Sequence, residues 1–231
     1  MKFSKEVFTI KTIPKVAWSS EDSFNLKPKP LTFIFLVFGL FLFGLGESLL
    51  ITSGAGVGPY TILASGIKNL TDLTIGESTF VISIFVLLLW IPLKQKPGIG
   101  TILNVIIIAL TIEFSRKFLP QPSAYPFQVL QVIIGILVTG LGSGFYLISN
   151  LGAGPRDGLM VGLQRITNMP IYSIRTTIEI SVVIIGSLCF LHNIDKLLGE
   201  VVGLGTALFA LGIGPSVAMG ITLVGKLSKQ S

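Results

Sequence analysis

The sequence predicts an all-α membrane protein: six transmembrane helices in two inverted three-helix repeats, each with a glycine-rich break and a short re-entrant or interfacial half-helix. Three observations lead there. Hydrophobic side chains make up 51% of the 231 residues and charged ones only 12%, about half the charged share of an ordinary soluble domain. Apolar runs of membrane length recur from Leu31 to Val224. Two glycine-proline strings, Ala55-Gly56-Val57-Gly58-Pro59 and Leu151-Gly152-Ala153-Gly154-Pro155-Arg156-Asp157-Gly158, lie 96 positions apart, each after a long apolar run.

Residues 1–30 hold six of the seventeen Lys and Arg, namely Lys2, Lys5, Lys11, Lys15, Lys27 and Lys29. Pro14, Pro28 and Pro30 interrupt any long helix there, so the segment is expected to be a mostly disordered basic tail. Its Phe8, Ile10, Ile13, Val16 and Trp18 are suited to touching a membrane surface. The first span covers 31–51, about 31 Å as a helix, which matches a bilayer core of about 30 Å. It starts too late and runs too long for a cleaved signal peptide. After the first break a short helix is expected at 60–69, with Pro59 in its first turn; about ten residues cannot cross a bilayer. The second span, 75–93, ends in Trp90, Pro92, Lys94 and Lys96, an interfacial flank. The third, 98–115, is followed by Arg116 and Lys117. The first repeat is 31–119, and Pro120 to Pro126 link it to the second, 127–224.

The second repeat follows the same order. A span at 127–149 leads to the second break and a short helix at 156–165, turning at Asn168 and Pro170. A fifth span follows at 173–191 and a sixth, glycine-rich, at 197–224, with residues 225–231 as a short tail. Sliding residues 39–71 onto 135–167 matches 11 of 33 positions, seven of them Gly or Pro, so the likeness lies in backbone geometry. Gly98-Ile99-Gly100-Thr101 aligns with Gly203-Leu204-Gly205-Thr206 after a nine-residue insertion. Three spans per repeat is an odd number, so the second copy is expected upside down, as in many secondary transporters. With six spans both termini share one side. Placing them in the cytoplasm puts thirteen basic residues inside (Arg156, Arg165 and Arg175 among them) and Lys68, Arg116, Lys117 and Lys196 outside, a positive-inside bias.

A break before a half-helix frees backbone N–H groups at membrane depth, and the helix N-terminus holds an anionic group well. Gly56, Gly58, Pro59, Gly152, Gly154, Pro155, Arg156 and Asp157 are therefore candidate substrate-binding positions, facing one central site for an anionic or zwitterionic small molecule. Asp157 is equally suited to capping its helix or to neutralising Arg156. Arg175 and Glu179, four apart, share a helix face, and Glu179 lies too deep to stay unpaired; both join the candidate site. Glu47 in the first span has Ser143 as its repeat counterpart and no cation nearby in sequence. Glu113 and Glu200 sit near span ends. Gly135, Gly140, Gly142, Gly203 and Gly212 are expected to serve close helix crossings.

Other classes are poorly supported. One cysteine, Cys189, excludes an internal disulfide, and one histidine, His192, leaves no Cys/His metal cluster; both read as structural. Gly54-Ala55-Gly56-Val57-Gly58 lacks the Lys-Ser/Thr ending and the preceding strand of a nucleotide loop. There is no Ser/His/Asp set and no paired catalytic carboxylate motif, so catalytic residues, cofactors and metals are assigned as none and an enzyme is not expected. The net charge of +6 lies mostly in a tail beside a membrane helix, which fits lipid headgroups and not nucleic acid.

The string from Leu151 to Met160, with Gly162-Leu163, Arg175 and Glu179, resembles the YczE/YyaS/YitT family of bacterial membrane proteins. The resemblance extends over about 31–224, including Pro97-Gly98-Ile99-Gly100-Thr101-Ile102-Leu103-Asn104. Family members often carry an acidic residue soon after the first-half Gly-Pro, where this chain has Tyr60-Thr61. The resemblance implies a polytopic plasma-membrane protein and supplies no substrate. The favoured function is a small-molecule permease or exporter; the alternative is a non-transporting accessory protein that binds a partner enzyme or regulator. The lipid bilayer is the expected partner, and homo-oligomerisation is left open.

Overall fold

A computed structural model describes residue 7 and residues 9–192 and 202–228. Lys2, Lys5, Phe8, Lys196, Glu200 and Lys229, and the expected start of the sixth span at 197, lie outside the described residues. Eight helices are described: α1 Pro30–Ser53, α2 Pro59–Leu70, α3 Ile75–Leu89, α4 Ile99–Ser115, α5 Tyr125–Ile148, α6 Pro155–Thr167, α7 Ile171–Leu188 and α8 Leu204–Leu227. Four of them (α1, α5, α7 and α8) are long and apolar enough to cross a membrane. The pair α2 and α3 passes the same test together but is bent by 112°, and α4 is a shorter apolar helix. Six separate crossings are thus not all visible as full-length helices.

Local chemistry sets the boundaries. α1 begins on Pro30, whose missing N–H is no loss in a first turn. It stops at Gly54, which takes the left-handed conformation (φ 70°). α3 opens with a capping box: Glu77 N–H donates to the Thr74 hydroxyl, and the Thr74 N–H donates back to the Glu77 carboxylate. α6 ends on Asn168 in the left-handed region.

The packing suits a lipid solvent. Phe80, Phe85 and Leu88 of α3, and Ile102, Val105, Leu110 and Phe114 of α4, are exposed large apolar side chains. Beside apolar residues such as Leu36, Leu40 and Val132, the interior holds Ser48, Thr139, Ser143 and glycines such as Gly39 and Gly142, because small residues let membrane helices approach closely. α1 and α5 run antiparallel through two such crossings. A Cβ at Gly39 would lie 2.7 Å from Gly142 O, and one at Gly135 would lie 2.8 Å from Gly46 O. Gly140 likewise sits against Ser216 of α8, as Gly44 sits against Thr111 of α4. Gly212 meets only Ile136 at 3.4 Å or more, so it is not a forced crossing as expected. Gly203 is not one either, since it caps α8 and faces Ala55.

Each break is gripped by the Gly-x-Gly-Thr string of the other half. Gly100 N–H donates to Leu151 O (2.7 Å), and the Thr101 hydroxyl donates to Ala153 O (2.8 Å). In the counterpart, Gly205 N–H donates to Ala55 O (2.9 Å) and the Thr206 hydroxyl to Val57 O (2.7 Å). Gly152 (φ 103°) and Gly56 (φ 133°) sit inside these clasps, where a side chain would be both strained and crowded.

The N-terminal segment departs from the expected disordered tail. Residues 10–29 contain no helix, yet they lie across one end of the bundle. Trp18 is buried, rests on Phe35 (4.6 Å between ring centroids) and donates its indole N–H to the Ser228 hydroxyl (3.0 Å). Ser20 N–H donates to Ser149 O, and the Asn150 amide donates to Ser20 O. A single indole with an apolar bed and a polar partner anchors the segment, which proline content and charge alone do not reveal.

Candidate functional site

Among the described residues, five buried or half-buried charges come together at the start of α6. Glu47 sits near the C-terminal end of α1, Arg156 and Asp157 open α6, and Arg175 and Glu179 lie in the first half of α7. Arg156 is shared by two carboxylates: its Nη2 is 3.1 Å from Glu47 Oε1 and its Nη1 is 3.4 Å from Glu179 Oε1. Arg175 pairs with Asp157, and its Nε lies 3.1 Å from Glu179 Oε1. The Tyr146 hydroxyl donates to the second Asp157 oxygen. Two aromatic rings flank the Arg156 guanidinium, Tyr60 at 5.0 Å and Phe43 at 5.6 Å from centroid to carbon, within cation–π range.

Two features of this network matter chemically. Three carboxylates face two guanidiniums, so with all five ionised the cluster carries one excess negative charge. Burial is also graded: the side chains of Arg175 and Glu179 are fully buried, whereas Arg156 and Glu47 are 16% and 17% exposed. Glu179 Oε2 and Arg175 Nη2 are buried without a hydrogen-bond partner among the described residues. Unpaired buried polar atoms are costly.

The structure thus gathers Arg156, Asp157, Arg175 and Glu179, four of the sequence-derived candidates, in one place. Asp157 pairs with Arg175 and not with Arg156, and the N-cap of α6 is Gly154; it neither neutralises its neighbour nor caps the helix. The glycines have close backbone contacts of their own. Gly56 and Gly152 belong to the clasps, and Gly154 presses on Asn104, which leaves no room for a side chain. The Pro155 carbonyl accepts from the Trp90 indole (3.0 Å). Pro59 is buried at the head of α2. Gly58 lies beside the cluster, where a Cβ would be 3.9 Å from Glu47 Oε2.

The sequence leaves Glu47 without a partner, marks Tyr60 only as a departure from the family pattern, and does not single out Phe43 or Tyr146. The signal for Glu47 was its position, since an ionisable residue inside a span is a functional candidate by default. Its cation is 109 positions away. Tyr60 is the repeat counterpart of Arg156, and the two meet face to face. Glu113, as expected, is an exposed carboxylate at a helix end, 3.4 Å from Lys117.

No solved structure matches the chain. An uncharacterized protein of Haemophilus influenzae is 40% identical over 218 residues, covering 94% of this chain and 95% of the relative. The uncharacterized membrane protein YczE of Bacillus subtilis is 29% identical over 154 residues, 66% of this chain and 72% of its own length. YyaS of the same organism, also uncharacterized, is 26% identical over 153 residues, 64% and 76%. Residues 31–221 match the family of unknown function DUF6198. With its several long apolar helices and its likeness to YczE and YyaS, the chain is a multi-pass membrane protein and belongs to the DUF6198 family.

Proposed function

We propose that the protein is a small-molecule permease or exporter of the plasma membrane, with a central site at the interface of two inverted repeats. The observation that carries this reading is the charge cluster at the start of α6. A membrane protein keeps five ionisable groups in its interior only at considerable cost, and such groups characteristically line substrate or ion pathways. The cluster also sits where broken-helix transporters build their sites, beside both half-helix starts. At about 18 and 20 Å, α2 and α6 are too short to cross.

The inverted arrangement is supported by the contacts that recur at the repeat offset. Gly39 against Gly142 and Gly46 against Gly135 exchange places under it, as do the two clasps. A cytoplasmic location of both termini rests on the distribution of Lys and Arg. Arg156 and Arg175 are held in the charge cluster and drop out of that tally, leaving eleven basic residues inside against four outside, still a clear bias.

A test that needs no prior substrate is uptake from a mixture. Proteoliposomes holding the full chain are exposed to a cellular small-molecule extract, and the lumen is analysed by mass spectrometry. The permease reading expects one or a few charged compounds to accumulate relative to empty liposomes, and Arg156→Gln to abolish the accumulation. No protein-dependent accumulation in either membrane orientation would remove it. One observation favours the accessory reading instead: an apolar groove of about 540 Å³ lined by Trp18, Phe35, Phe145, Val224 and Leu227, with Lys29 on its border. A partner enzyme held there would be lost on Phe35→Glu, in a protein that shows no flux of its own.

A further inference from the structure

The charge count of the cluster defines the ligand's chemistry. Asp157 is satisfied by Arg175 and Tyr146, and Glu179 touches both guanidiniums. Glu47 shares its only described cation, Arg156, with Glu179. Three carboxylates can each have their own cation only if one more positive group arrives. Glu47 is also the carboxylate with the greatest access, at 17% side-chain exposure against 2% and 0% for Asp157 and Glu179. Phe43 lies one helical turn before it on α1, and the partner of Glu47, the Arg156 guanidinium, sits 5.6 Å from the Phe43 ring and 5.0 Å from the Tyr60 ring of α2.

We propose that Glu47, Tyr60 and Phe43 form a recognition site for the ammonium or guanidinium group of an organic cation or zwitterion, which supplies the third positive charge. On entry the ligand's cation takes Glu47, and Arg156 withdraws to Glu179 alone. The result is three one-to-one pairs: ligand with Glu47, Arg156 with Glu179 and Arg175 with Asp157. The aromatic faces that now flank Arg156 suit a delocalised or alkylated cation equally well. Glu179 Oε2, buried and unpartnered, is the acceptor that Arg156 gains when it turns. A plain anion is the poorer ligand, because it would have to win Arg156 from two carboxylates and would raise the excess negative charge. As a statement about substrate, the proposal rests on the permease reading; as a statement about binding, it does not.

The test uses the purified full chain in detergent with benzylammonium, benzoate and benzyl alcohol as size-matched probes at one ionic strength. Binding is followed by thermal shift and by calorimetry. Benzylammonium is expected to bind and stabilise, and benzoate and benzyl alcohol are not. Glu47→Gln should weaken the cation about tenfold or more, since it removes the charge that the ligand pairs with. Tyr60→Leu should weaken it several-fold, and Glu113→Gln, at an exposed pair, should leave it unchanged. Glu47→Gln leaves two carboxylates facing two guanidiniums and is therefore expected to fold. Glu47→Asp, which keeps the charge, should retain the preference for benzylammonium and serves as the second variant.

Equal binding of benzoate, binding that survives in folded Glu47→Gln, or no binding of benzylammonium would each overturn the site. The last is the outcome if a proton supplies the third charge. Proteoliposomes separate the two readings. Cation binding without flux of any extract compound removes the permease and leaves the site. Flux of an anion without cation binding removes the site and leaves the permease.

Discussion

Arg175 and Glu179 are four residues apart on one helix, and as an isolated pair they would be equally costly to break. The cluster predicts otherwise. Arg175→Gln leaves Glu47, Asp157 and Glu179 facing Arg156 alone, three negative charges against one. Breaking a buried pair by removing one partner costs about 3–5 kcal/mol, because the charge left behind has no compensation. Glu179→Gln instead leaves two carboxylates and two guanidiniums, with Arg156 on Glu47 and Arg175 on Asp157. Its amide oxygen still accepts, so the loss is of charge assistance, about 1–2 kcal/mol. The two substitutions should therefore differ by about 2–3 kcal/mol, with the arginine the more costly. The double variant, with two carboxylates against one guanidinium, should be less destabilised than Arg175→Gln alone. Unfolding in mixed micelles of increasing dodecyl sulfate content would measure this. Trp90 would report the region directly, since its indole is bonded to Pro155 and its ring packs on Gly158 at the start of α6. Equal single costs, or a double variant at the simple sum, would refute the charge-count argument and return Arg175 and Glu179 to an ordinary local pair.

Gly152→Ala and Gly56→Ala place a Cβ 2.6–2.7 Å from Gly98 N and the Thr206 hydroxyl at positive φ, and each should cost about 2–6 kcal/mol in strain and overpacking. Gly54→Ala is the control: its φ is also positive but its nearest neighbour is 3.5 Å away, so about 1 kcal/mol is expected in the same unfolding assay. Trp18→Ala removes the anchor of residues 10–29 and should expose them to limited proteolysis, with about 3–5 kcal/mol of docking lost; unchanged cleavage would mean that the indole does not hold the segment. In a Cys189→Ala background, a cysteine at position 95 should react with an impermeant maleimide only in inverted vesicles, and labelling from outside intact cells would overturn the cytoplasmic assignment of the termini.

Much of the backbone was legible in the sequence because glycine and proline dictate backbone geometry locally. Pro30, Pro59 and Pro155 each start a helix one residue before the position that the apolar runs and breaks give it, and Gly54 ends one. Hydropathy carries the second span to 93, whereas α3 ends at Leu89 and the chain continues as turns through Lys94; hydropathy does not distinguish a membrane helix from the apolar turn that follows it. The Gly-x-Gly-Thr strings were visible as a repeat, but not as clasps, because each binds a break roughly fifty to 150 positions away. The same limit applies to Glu47. Its burial could be read from the span around it, whereas its partner depends on how α1 and α6 meet.

Where the two halves agree and where they differ explains why the site has the residues it has. The agreeing positions are crossings, clasps and half-helix starts, all demands of backbone geometry. The charges fall at positions where the halves disagree: Glu47 opposite Ser143, Arg156 opposite Tyr60, Asp157 opposite Thr61, Arg175 opposite Thr79 and Glu179 opposite Ser83. Four of the five come from the second copy, so the first contributes one carboxylate and two aromatic rings. Arg156 then faces Tyr60, its own counterpart, at 5.0 Å. A second charge at position 60 would have changed the balance: an arginine there would repel Arg156, and a carboxylate would add a fourth acid to two bases. Tyr60→Glu exchanges an aromatic face for a fourth carboxylate, so it should bind benzylammonium more tightly than Tyr60→Leu does while lowering the stability of the unliganded protein. If the variant instead gained stability without ligand, Arg156 would be the group short of a partner, and the cluster would be waiting for an anion.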